Sequence, residues 1–213
     1  MVRRRASGSS VCPSTTAWCG ISAVVGAFCW IASSLLEPVV FGTRPYDATV
    51  LDVFRLLGWT LMISGVIGVA TTFGNQYGRS GRIGLGVVAS GMVLIAGLHV
   101  RAVIVLVSAG FRAVPTTGEN TLVLVAAYAG STLVVVGAGS LGIALWRVSP
   151  RPTIAAVVLV VAAVLPLVAL LSSGVLPATP RRLWLQSGTL LVPFAAAWAV
   201  LGAVVYRRAG RQD

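Results

Sequence analysis

Few side chains of this sequence can do chemistry, and two of them stand close together in its longest apolar run. His99, the single histidine, and Arg101 lie within Ile83–Phe111; Glu37 and Glu119 end neighbouring apolar runs, and the four form a candidate intramembrane polar site. An arginine at a bilayer centre costs about +2.5 to +3.5 kcal/mol on insertion scales, so such residues usually face a bundle interior and find a partner. Arg101 shares a helical face with Ser90, Leu94, Gly97, Ile104 and Ser108, and small or polar residues mark helix contacts. The expectation is that Arg101 points inward in the outer half of the membrane and pairs with Glu37 or Glu119. His99 lies about 200° round the helix from it and must point elsewhere. Its neighbours Val88, Met92, Ile95, Ala102 and Leu106 are apolar, so it reads as a hydrogen-bonded packing histidine.

The reaction classes these residues could serve narrow quickly. A membrane haem usually takes two axial histidines and the chain supplies one. Ser90 and His99 sit nine residues apart on one helix, about 13 Å of rise, too far for a nucleophile–base dyad. Aspartyl chemistry needs two carboxylates within the spans, and no pair is read there. All sixteen basic residues are arginine, so no lysine Schiff base can form. Cys12, Cys19 and Cys29 have no metal-ligand spacing with the histidine, and Cys19 and Cys29 fall on different helical faces, which argues against a disulfide. Gly137-Ala-Gly-Ser-Leu-Gly142 matches a dinucleotide fingerprint by its letters, but it lies inside an apolar helix with no strand before it, so packing is the reading. No catalytic residue, cofactor or metal is expected.

The elements that must position these residues follow from composition. The chain has 213 residues, 57% of them hydrophobic and 10% charged, with a mean hydropathy of +0.93. That is far from soluble domains, which carry about 25% charge. The net charge of +11 sits in short segments between apolar runs and no basic stripe with interleaved aromatics exists, which excludes nucleic acid as a partner and names the lipid bilayer.

Six spans are read: Trp18–Leu36, Phe54–Phe73, the central run, Thr121–Trp146, Thr153–Leu176 and Leu183–Tyr206. A polar tail (1–17) precedes this transmembrane domain (18–206), and a basic tail (207–213) follows it. Glu37-Pro38 should stop the first helix; Pro166 and Pro193 should kink the fifth and sixth. Ser22/Gly26, Ser64/Gly68, Gly86/Ser90, Ala138/Gly142 and Ala195/Ala199 repeat a small-xxx-small pattern that predicts tight packing. Placing the termini inside assigns ten arginines to inner segments and five to outer ones, with Arg101 left over. Positive charge favours the cytoplasmic side, so the fold class is all-α: a polytopic six-transmembrane-helix bundle, N-in/C-in, in the cytoplasmic (inner) membrane. Trp18, Tyr77, Trp146 and Tyr206 would then belt the inner interface.

Phe73-Gly-Asn-Gln-Tyr-Gly-Arg79-Ser-Gly-Arg82-Ile-Gly-Leu-Gly86 and Leu145-Trp-Arg147-Val-Ser-Pro-Arg151-Pro152 resemble segments of small multi-span prokaryotic membrane proteins of unknown function. In those, helix two likewise ends in a Gly/Arg loop and a later helix in Trp/Arg before a Pro/Arg turn. The resemblance implies the architecture and carries no activity or site residues. The functional expectation is a non-enzymatic accessory, assembly or interaction protein, with a second copy or another membrane protein as partner. The alternative is an oligomeric small-solute or ion transporter, suggested by the mid-span prolines.

Overall fold

In the computed structural model the described residues are 13–41, 50–74, 76–110, 121–148, 154–173 and 180–210, with side chains described over 15–36, 51–74, 76–110, 122–123, 125–147, 154–164 and 192–210. They form α1 (Pro13–Phe41), α2 (Val50–Phe73), α3 (Gly78–Ser108), α4 (Thr121–Val148), α5 (Ile154–Ser173) and α6 (Pro180–Ala209), and no strand. Helices are what an apolar chain must adopt in lipid, where each N–H and C=O has to be satisfied within its own segment. Four stretches are long and apolar enough to cross a membrane: Thr15–Leu36, Leu51–Phe73, Gly78–Ser108 and Val125–Arg147; the described part of α5, Ile154–Val164, is a shorter apolar stretch. α3 is 31 residues long, roughly 46 Å, and exceeds a ~30 Å hydrocarbon core.

The helices close a ring. Each packs on the next in sequence, α6 returns to α1, and α6 also touches α2 and α4. Short links make consecutive helices antiparallel neighbours, and the centre is filled from α2 and α6 by Trp59, Met62, Phe194, Trp198 and Leu201, all fully buried. The seams are glycine contacts. A Cβ on Gly26 of α1 would stand 2.6 Å from the Gly58 carbonyl oxygen of α2, and one on Gly91 of α3 2.7 Å from that of Gly130 on α4. Small residues let helix backbones approach this closely.

Several boundaries differ from the sequence reading. α1 starts inside the expected tail at Pro13, a residue suited to a first helical position, and runs past Glu37-Pro38 to Phe41. A proline near a helix end forfeits one hydrogen bond, which membrane helices tolerate. α2 begins at Val50 rather than Phe54, so its first turn contains Asp52. α6 begins at Pro180 rather than Leu183, while α5 and α6 continue through positions 166 and 193 as the two spans were read. On α3, Gly86 meets nothing within 4 Å and Ser90 is exposed; Gly84 and Gly91 make the contacts with α4 instead. Trp18, Trp146 and Tyr206 are exposed, but Tyr77 is buried and its hydroxyl donates to the Val69 carbonyl at 3.3 Å.

Candidate functional site

Starting α2 at Val50 changes which residues share its inner face. Leu51, Asp52, Gly58, Trp59, Met62, Gly65 and Val69 are buried, and Asp52, Arg55 and Trp59 follow one another at the i, i+3, i+7 spacing of one helical face. A carboxylate in the first turn also suits the positive end of the helix dipole. Asp52 is the third residue of α2, and His99 lies nine residues before the end of α3, about 14 Å along its axis. The two helices are antiparallel neighbours, so these side chains come together toward one end of the bundle.

There His99 Nδ1 stands 3.0 Å from Asp52 Oδ1, and Arg55 Nη1 stands 3.7 Å from the same oxygen. All three side chains are nearly buried, 12% exposed for Asp52 and 14% for each partner. The Trp30 ring of α1 and the imidazole meet in a T-shaped contact at 5.6 Å between centroids, and the Arg55 guanidinium lies over the Trp30 ring, 5.6 Å from its centroid. Trp59 is 5.0 Å from Trp30 and leads through Phe194, at 6.1 Å, to Trp198 a further 5.5 Å on, whose Nε1 donates to the Met62 carbonyl at 3.0 Å. The Trp30 and Trp59 indole nitrogens are buried, with no hydrogen-bond partner among the described residues.

This arrangement has a defined electrostatic logic. An ionised carboxylate only accepts hydrogen bonds, so a neutral His99 must carry its proton on Nδ1 and donate it to Asp52. Arg55 balances the carboxylate, and its cation–π contact with Trp30 gives the guanidinium a second favourable surface. Opposite charges are thereby held side by side where little solvent reaches them, the condition under which burial of a charge is tolerated.

Of the candidate residues, His99 belongs to this centre. It lies beside the buried stripe of α3, Val88, Met92, Ile95 and Leu106, as a hydrogen-bonded packing histidine should. Arg101 does not belong to it: the side chain is exposed, as are Ser90, Gly97, Ile104 and Ser108 on the same face. The inward orientation expected of Arg101 is therefore corrected. At 100° per residue His99 and Arg101 cannot both face the core, and the imidazole holds the inner position through Asp52, while a long arginine stem can carry its charge outward. Glu119 and the side chain of Glu37, the acids expected to pair with Arg101, lie outside the described residues, as do Cys12 and the Pro166 side chain.

Asp52 was missed because it was assigned to the loop before Phe54, and Arg55, at the start of the second span, because it was counted with the outer-segment arginines; Trp30 was not singled out. The usable signal was the spacing Asp52, Arg55, Trp59 on one helical face. Among the described residues no three His, Cys, Asp or Glu side chains cluster as a metal site, and Cys19 and Cys29 are free thiols. No protein-family model matches this chain, and no curated protein or solved structure is significantly similar to it.

Proposed function

We propose that the chain is an integral protein of the cytoplasmic membrane, six spans with both termini inside, akin to the small multi-span prokaryotic proteins whose loop pattern it resembles, and that it works without catalysis as an accessory, assembly or interaction partner within the bilayer. The closed ring of glycine-seamed helices carries this reading, because a chain whose consecutive helices interlock so closely puts its information into packing. Large apolar side chains on the outer faces of the helices, Phe28, Ile104 and Val136 among them, suit contact with lipid or another membrane helix. The ten-to-five arginine distribution supports the orientation.

A second reading, transport of an ion or small solute, is favoured by one observation, the Asp52–His99–Arg55 centre inside the bundle, since ionisable side chains within spans mark ion pathways and proton relays. Proteoliposomes loaded with a solute panel separate the two. The accessory reading expects no flux above protein-free vesicles; reproducible flux that disappears in Asp52→Asn and His99→Gln replaces it with the transport reading.

A further inference from the structure

We propose that Arg82 and Arg208, at the end of the bundle where α2 gives way to α3, bind the phosphate of an anionic phospholipid. Both side chains converge on one turn. The Gln76 N–H donates to the Phe73 carbonyl at 2.7 Å and closes that turn. Arg82 of α3 donates from Nε to the Gly74 carbonyl at 3.2 Å. Arg208 of α6 donates from Nη1 to Gln76 Oε1 at 3.5 Å, and its guanidinium lies over the Phe73 ring, 4.5 Å from the centroid, a cation–π contact that fixes its plane. Each arginine is thus positioned by the turn through one donor, and its other N–H groups have no acceptor among the described residues.

The charge at this end is of one sign. Arg79, Arg82, Arg147 and Arg207 are exposed and Arg208 is half-buried, while among the described side chains the one carboxylate, Asp52, stands at the opposite end of α2. Guanidinium groups gathered on one turn repel one another unless an anion joins them, and the planar fork of each matches two phosphate oxygens. The depth suits a lipid headgroup. The apolar stretch of α2 ends at Phe73 and that of α3 begins at Gly78, so the turn lies at a membrane boundary. Trp18, Trp146 and Tyr206 are exposed at the same end, where amphipathic rings settle among headgroups. Ile83, next to Arg82, is exposed as well and gives an acyl chain an apolar surface that free phosphate would not use. The site rests on the membrane reading proposed above, but on neither its orientation nor its count of spans.

Native mass spectrometry of the full chain, released from mild detergent after titration with lipid, reads the affinity of each adduct. Dioleoyl phosphatidylglycerol should bind at least about tenfold more tightly than dioleoyl phosphatidylcholine, which has the same acyl chains, and about a tenfold excess of inorganic phosphate should not displace it. Arg82→Gln combined with Arg208→Gln should abolish the preference. Arg101→Gln combined with Arg147→Gln removes as much charge from elsewhere and should leave it intact. Because Arg208 also packs on Phe73, Arg82→Gln alone keeps that contact and should still weaken the preference at least about threefold. Equal binding of the two lipids, equal losses in the two double variants, or displacement by inorganic phosphate would overturn the lipid site. Flotation with phosphatidylcholine vesicles separates this failure from that of the membrane reading: a chain that does not enter the vesicles overturns both, and one that enters them but shows no lipid preference overturns the site alone.

Discussion

Asp52 Oδ1 accepts from His99 and forms an ion pair with Arg55, and removal of the carboxylate would take both contacts from a nearly dry site. Breaking a buried pair by deleting one partner costs about 3–5 kcal/mol, so Asp52→Ala should lower stability in detergent by about that much, read from its thermal transition. In a double-mutant cycle, Asp52→Ala and His99→Ala should couple by about 1–3 kcal/mol; strict additivity would mean that the 3.0 Å contact contributes nothing. Tyr77 supplies the pH dependence. Burial lifts its phenol above the ordinary value of 10.0, against an opposing pull from Arg82. The folded state thus favours the neutral phenol, so its contribution is whole below pH 10 and is lost as pH rises through the raised value. Tyr77→Phe should remove that part of the alkaline loss of stability, measured by thermal unfolding across pH 9 to about 12. The packing role of His99 was legible in the sequence because its helical neighbours are apolar. The exposure of Arg101 was not, since the pattern of small residues around it is equally that of a helix contact.

Each helix was legible as an apolar run, whereas its ends and its contact face were not. Asp52 looks like a loop residue and Arg55 like an interfacial one when hydropathy sets the boundary at Phe54, yet α2 begins at Val50 because a carboxylate is favourable in a first turn. Contact faces are harder still, since two small-residue stripes on α3 differ by only two positions. Gly84 and Gly91 meet α4, while Gly86 and Gly97 meet nothing within 4 Å. This gives a contrast to measure. Gly91→Ala places a methyl group 2.7 Å from the Gly130 carbonyl oxygen and should cost about 1–3 kcal/mol through overpacking. Gly86→Ala and Gly97→Ala add a better helix former in open space and should be neutral or stabilising by up to about 1 kcal/mol. Equal losses at all three positions would contradict the assigned faces.

At the scale of the molecule, the ring of six helices brings α6 back against α1 and sets the Asp52–His99 centre at the end where α2 begins and α3 ends. In the proposed arrangement of six spans with the termini inside, that end would be the outer one. Charge bias is the ground for the proposed orientation and packing gives the ring, and the crossing of every helix is what would join them into one account. Impermeant maleimide labelling of intact cells tests it most directly, using Cys12 as the lone thiol after Cys19 and Cys29 are replaced by alanine, and then Thr43→Cys or Ala178→Cys as the lone thiol with Cys12 removed as well. The account predicts that Cys12 stays unlabelled until the membrane is opened, and that Thr43→Cys and Ala178→Cys both label from outside. Labelling of Cys12 in intact cells would invert the orientation, and protection at Ala178→Cys with labelling at Thr43→Cys would contradict the six-span count.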